Sequence, residues 1–328
     1  MTTTLALLTY RSGFAITALS PDGRRETLTT DFGWGCTLRA AQTLAACAFR
    51  LKTSAELAST FADETGGLGL AALLRAVPGG DATRWRGPAE ACRMLARAAA
   101  GQQLPTAIVC AIDYTVVLDE LFPASSASTT LLLLPVRLAP DGTRLSAASV
   151  ESLRQTLALP SCVGFVAGTP GHAFCVVASD GADFIALDPH RVQDSAVTDL
   201  APLPSDSRVV RSSELDASVA FGFLLKLDAL EAFREALTSA LPCVSIMATR
   251  TGAGAAADEL AEDGALLGGG WVDAASAAES PSPAPSVAAG GRWRRAARAW
   301  AWLVRALRAR WRAAAAAVSR GTPRASPP

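Results

Sequence analysis

The chain is poor in histidine, carries no paired-cysteine motif, and has no apolar run long enough to cross a membrane. Only His172 and His190 occur in 328 residues, so an imidazole working as acid or base near neutral pH is one of these two. The seven cysteines, at 36, 47, 92, 110, 162, 175 and 243, are odd in number, scattered, and without a C-x-x-C pair. That distribution argues against a disulfide framework or a thiolate zinc site and for reduced thiols. Met1 to Tyr10 shows neither a basic n-region nor an apolar core, so no secretory leader is expected. A membrane-spanning helix, at about 20 apolar residues, is not expected either. A cytoplasmic protein without metal or cofactor is the expectation.

Acidic residues are absent from one region. Gly291 to Pro328 holds ten arginines and no Asp or Glu, while the preceding 290 residues hold 20 basic and 30 acidic groups. The net charge of zero therefore conceals an acidic globule with a basic tail, an asymmetry typical of an interaction segment. Within the tail Trp293, Ala297, Trp300, Val304, Leu307 and Trp311 recur at alternating steps of four and three, which lines them along one helical face. Arginines flank that face, although Trp302 falls on the basic side. Such a helix suits an anionic membrane surface, engaged through Arg292–Arg312, rather than nucleic acid. Docking on the acidic globule, or no function at all, are the competing readings.

Half of the residues are apolar, enough for one core of enzyme size. Residues 1–247 read as that domain, 248–290 as a flexible acidic linker rich in Ala, Gly, Ser and Pro, and 291–328 as the amphipathic helix and tail. In the domain, strands are expected at Thr4–Thr9, Thr106–Ile112, Thr129–Val136, Cys162–Ala167, Phe174–Ala178, Phe184–Leu187 and Ala220–Leu227. A turn is expected at Ser20-Pro21-Asp22-Gly23. Helices are expected from Cys36 to Leu51, Pro88 to Ala99 and Ala229 to Leu241. Helices first and strands later indicate an α+β fold.

Two stretches carry chemistry. Asp31-Phe32-Gly33-Trp34-Gly35-Cys36-Thr37-Leu38-Arg39 puts a thiol between a Gly-Trp-Gly turn and the start of a helix. Unpaired N–H groups and the helix dipole there stabilise negative charge on sulfur, though most free cysteines are merely small buried residues. Phe184-Ile185-Ala186-Leu187-Asp188-Pro189-His190 is an apolar strand ending in an acid, a proline and a histidine. Residues two apart in extended chain face the same way, so Asp188 and His190 project together; Pro189 stiffens the link. A cysteine, a base and an acid that orients the base are the parts of a thiol hydrolase.

Gly33 to Gln42 taken with Leu187-Asp188-Pro189-His190 resembles the autophagins, the cysteine proteases that trim ubiquitin-like autophagy modifiers. Thr9-Tyr10-Arg11, Trp85-Arg86-Gly87-Pro88, Asp113–Val117, Gly168–Phe174 and Leu215–Phe223 also have counterparts in that family, in the same order. The resemblance implies a papain-like fold with a small accessory subdomain. It implies cleavage after the C-terminal glycine of the modifier, in its precursor or in its conjugate to phosphatidylethanolamine. By resemblance Cys36 is the nucleophile, His190 the base, Asp188 its orienter and Tyr10 an oxyanion donor. Trp85 and the loop Thr169, Pro170, Gly171 and His172 match the groove and its gate. Thr169 and Gly171 are smaller than the family's usual loop residues, which implies a looser gate. Two other readings are a protease for the ubiquitin-fold modifier and a catalytically weak modifier-binding membrane tether.

Overall fold

A computed structural model describes residues 5–249, apart from 21, 50–52, 77–80, 123–127 and 140–143. The expected tail 291–328 and almost all of the expected linker lie outside the described residues. In chain order the strands are β1 (Tyr10–Leu19), β2 (Arg25–Thr30), β3 (Ala107–Cys110), β4 (Thr115–Val117), β5 (Thr130–Arg137) and β6 (Cys162–Thr169). They continue with β7 (His172–Asp180), β8 (Asp183–Leu187), β9 (Val192–Asp194), β10 (Ser207–Val210), β11 (Ser218–Leu225) and β12 (Ser245–Met247). The helices are α1 (Cys36–Ala48), α2 (Ser54–Thr60), α3 (Leu70–Ala76), α4 (Pro88–Ala99), α5 (Ala147–Ala158) and α6 (Leu230–Ala240).

A seven-stranded sheet in the order β10-β8-β7-β6-β11-β5-β3 forms the middle layer. It is mostly antiparallel, with β3 parallel to β5. The twofold alternation of a strand explains why its central members are apolar runs. In β5, Leu131 and Leu133 pack with α1 and α4, while Leu132 and Leu134 pack on the other face with α5 and α6. The same split sends Cys175 and Leu187 to the α1 face and Phe174, Val176 and Ala186 to the opposite one. This α+β architecture accords with the expected papain-like class.

One close approach fixes α1 on the sheet. Gly164 of β6 and Gly222 of β11 are paired across the ladder. A Cβ at Gly222 would meet Leu44 Cγ at 2.9 Å, and one at Gly164 would meet the Val176 carbonyl oxygen at 2.4 Å. The bare backbone therefore lets Leu44 and the helix that begins at Cys36 sit directly on the sheet.

The N-terminal expectation needs correction. Leu5 to Thr9 is not a strand; its backbone is bonded from Leu8 N to Thr43 Oγ1 at 3.0 Å and from Leu7 N to the Leu200 carbonyl at 2.8 Å. Strand pairing starts at Tyr10, where β9 supplies a parallel partner and places Tyr10 opposite Val192. The turn at Ser20–Gly23 is real and joins β1 to β2. That β2 escaped notice follows from its composition: only Leu28 of its six residues is buried, so no apolar pattern marks it. A hairpin thus precedes the helices, and the helix from Cys36 ends at Ala48, with Phe49 already extended. The α4 limits, Pro88 to Ala99, coincide with the expectation, with proline in the first turn.

Candidate active site

Cys36 is the first residue of α1 and is fully buried, packed with Tyr10 and Ala173. The turn before it is braced from within. The Asp31 carbonyl accepts from Trp34 N at 3.2 Å and from Gly35 N at 2.9 Å. Its carboxylate takes Arg11 N on Oδ1 at 2.6 Å and Arg39 Nε on Oδ2 at 2.7 Å. Arg39 reaches on to Asp63 Oδ1 at 2.6 Å and Gln42 Oε1 at 3.2 Å, and all of these side chains are buried. A Cβ on Gly35 would lie 2.3 Å from Asp31 Oδ2, and Gly33 has φ +88°. The two glycines thus serve a tight turn and a close carboxylate approach. Gly35 supplies no capping side chain, so the first N–H groups of α1 are left for whatever occupies the site.

Asp188 and His190 stand on the loop after β8. Asp188 Oδ1 accepts from His190 N at 3.1 Å and makes a short contact with His190 Nδ1. Asp188 Oδ2 accepts from Arg208 Nη1 at 3.0 Å. Burial opposes charge on both members of the Asp188–His190 pair, yet their mutual hydrogen bond prevails. It raises the imidazole to about 9, with a further contribution from Cys36, and lowers the carboxylate to about 2. His190 Nε2 is buried and forms no hydrogen bond of ordinary geometry. Cys36 nevertheless contributes to the raised imidazole, and Tyr10 packs against both Cys36 and the His190 ring.

Tyr10 reaches the same point from β1. Its amide donates to the Pro189 carbonyl at 2.8 Å, and its ring meets His190 edge-on at 5.3 Å between centroids. Burial first, and the neighbouring Cys36 second, push its hydroxyl well above the ordinary tyrosine range. The hydroxyl therefore stays a proton donor at working pH.

The loop between β6 and β7 is a two-residue turn, Pro170-Gly171, closed by the Thr169–His172 pair, with Gly171 at φ +80°. The exposed His172 ring lies 4.9 Å from the His190 ring at 48°, so it shades that imidazole. The structure therefore joins Cys36, Tyr10, His190, Asp188 and His172. Trp85 is not among the described residues this group of contacts joins; it stands 41% exposed in the segment leading to α4.

Several contributors escaped sequence reasoning. Phe32 is 56% exposed and packs edge-on against Tyr10 at 5.5 Å, forming the outer wall of the nucleophile turn. Arg191 grips Asp206 through Nε at 2.9 Å and Nη2 at 2.8 Å, and the Asp206 carbonyl accepts from Asp188 N at 2.8 Å. An open cleft of about 450 Å³ lies beside the turn, lined among others by Arg144, Thr169, Pro170, Arg208 and Asp216. Neither the Asp206 tie nor the Arg208 contact has a spacing signal, because both depend on β10 pairing with β8.

The family model described as the Peptidase C54 catalytic domain matches residues 1–236. The chain is similar to the "Probable cysteine protease atg4" of Schizosaccharomyces pombe, 30% identical over 241 residues, or 68% of this chain and 70% of the relative. It is similar to the protein of the same description from Sclerotinia sclerotiorum, 28% identical over 272 residues, covering 67% of this chain and 61% of the relative. It is also similar to "Cysteine protease ATG4B" of Xenopus laevis, 26% identical over 275 residues, covering 66% and 68%.

Proposed function

The chain belongs to the peptidase C54 family of cysteine proteases, and from that premise we propose that Cys36, His190 and Asp188 form its catalytic triad. The substrate is a ubiquitin-like autophagy modifier, cut after its C-terminal glycine. Cys36 attacks the glycine carbonyl and His190 delivers its proton to the leaving amine, which is a peptide nitrogen in the precursor and ethanolamine nitrogen in the lipid conjugate. The imidazole then takes a proton from water, which hydrolyses the acyl-enzyme. Asp188 holds the imidazole in orientation, and the Tyr10 hydroxyl with the first N–H groups of α1 holds the oxyanion.

The observation that supports this reading most is the short contact of the His190 imidazole with Asp188, beside the Tyr10 ring that packs on Cys36 at a helix start. Access follows from burial. The sulfur has no exposure beneath Tyr10 and Ala173, so the Thr169–His172 turn moves aside to admit the modifier's tail. Phe32 and Trp85 offer it apolar walls, and glycine is selected because any larger side chain collides there.

The protein acts in the cytoplasm. No described helix is long and apolar enough to cross a membrane, and the arginines of 292–312 bring the enzyme to anionic membranes bearing conjugated modifier.

Incubation of the full chain with a modifier precursor, followed by mass measurement, is expected to show release of the peptide beyond the terminal glycine. Cys36→Ala is expected to abolish it, and a modifier ending in an electrophile is expected to label Cys36. Cleavage of the ubiquitin-fold modifier alone would overturn the substrate assignment. A Cys36 that binds modifier but never reacts would favour a tether. Substituting glutamine for the arginines of 292–312 is expected to reduce co-sedimentation with phosphatidylserine vesicles and to leave cleavage of soluble precursor unchanged.

A further inference from the structure

Arg208 is the one cation besides His190 that touches Asp188 among the described contacts of that carboxylate. Its guanidinium is held from three directions. The backbone sits on the edge strand β10, in register with Ala186 of β8, two residues before Asp188. The guanidinium carbon lies 5.0 Å over the Phe174 ring, which belongs to the strand that His172 begins. Nη1 then donates to Asp188 Oδ2 at 3.0 Å, the oxygen that His190 does not use. A planar fork resting on an aromatic face offers its N–H groups in one direction and loses little freedom doing so.

Resting on the protease reading above, we propose that Arg208 is a positioning residue that locks the Asp188 carboxylate so that Oδ1 stays on His190. Without it, Asp188 is tethered through Oδ1 alone, to the amide and ring of His190. Its side chain is 22% exposed, and water then competes for the free oxygen and lets the carboxylate rotate. The imidazole loses part of the contact that keeps it protonated and aimed at sulfur.

Other charged and titratable groups surround this pair. Cys36 and Tyr10 adjoin the imidazole from α1 and β1, and the His172 ring lies tilted against it from β7. On the acid's side, Arg191 is occupied by Asp206, whose carbonyl receives the Asp188 amide. Arg208 is thus the contact that acts on the free carboxylate oxygen. Because it also lines the 450 Å³ cleft with Arg144, the competing role is direct contact with substrate.

The chain's two histidines make the test direct, since two imidazole signals suffice to follow His190 by NMR and His172→Ala identifies which is which. In Arg208→Met the His190 titration is expected to fall from about 9 towards the ordinary histidine range, with kcat on modifier precursor about tenfold lower and KM unchanged. Arg208→Lys, which keeps one donor, is expected to recover most of both. An unmoved titration would reduce Arg208 to a structural residue, and an upward shift would make it a charge that opposes protonation. A rise in KM alone would make it a substrate contact; each overturns the proposal. The NMR readout does not depend on turnover, so a wild-type chain that fails to cut precursor would count against the protease reading while leaving this inference decided by titration.

Discussion

The two halves of the proposed catalytic group are held by different physics. The nucleophile turn, Asp31 to Arg39, hangs on a buried ionic lattice in which Asp31, Arg39 and Asp63 have almost no solvent exposure. The Asp188–His190 corner is tied by groups that, buried Asp206 apart, are about a fifth to a third exposed, Arg208 and Arg191 among them. A buried charge that loses its partner has nowhere to turn, whereas a half-exposed one turns to water. The nucleophile is therefore coupled to the stability of the whole domain. The base is coupled to local orientation. If the Thr169–His172 turn opens over Cys36 as proposed, this division lets that side rearrange without disturbing the sulfur.

Arg39→Met tests the first half and carries the largest expected effect. It strands Asp31 and Asp63 in the core, and loss of about 3–5 kcal/mol of unfolding free energy is expected, read by urea titration. Asp188→Asn tests the second. It is expected to cut kcat on modifier precursor by roughly a hundredfold or more while leaving the urea midpoint near that of the parent, since the lost contact is partly solvated. A large stability loss in Asp188→Asn would erase the contrast. Tyr10→Phe stands between the halves, because its amide belongs to the corner and its hydroxyl faces the thiol; about a hundredfold loss in kcat with unchanged KM is expected.

The pH profile sharpens the same contrast. His190 is raised to about 9, so the imidazolium that serves the leaving amine is present below that pH and lost as pH rises through it. The basic limb of kcat/KM on precursor is expected near 9. A limb near 6.5 would mean that the Asp188–His190 contact is not maintained in solution.

How much of this was legible follows the same division. The nucleophile turn is contiguous, so Gly33, Gly35, Cys36 and the apolar face of α1 announce themselves within ten residues. Asp188 and His190 are legible as a pair because they share an extended stretch. Their union with Cys36 was anticipated from the parts a thiol hydrolase needs and then from family resemblance, and the place of Tyr10 from the resemblance alone. What supports them was hidden. Arg208 reaches Asp188 only because β10 pairs with β8, and Asp63 reaches Arg39 across 24 positions from the segment after α2. β2 and β9, whose exposed faces show no alternation, were equally unmarked, although β9 is what brings Tyr10 to the loop carrying His190.

The smallest expected effect concerns the turn that separates the halves. Pro170-Gly171, closed by the Thr169–His172 pair, has the composition of a type II turn, with proline second and a glycine at φ +80° third. A Cβ on Gly171 would touch nothing within 4 Å, so the cost of Gly171→Ala is conformational and not steric crowding. An L-residue held at that φ costs about 1–2 kcal/mol, equivalent to a melting temperature lower by about 2–8 °C for a domain of this size. Because His172 begins the strand after this turn and its ring rests on His190, the strained turn populates open arrangements more often. A gate that must leave before the modifier's tail enters would then require less displacement on binding. KM for precursor is expected to fall about two- to threefold while kcat holds within twofold. A lowered melting temperature with KM unchanged would mean that the turn is a rigid rim over the thiol and that some other segment admits the substrate.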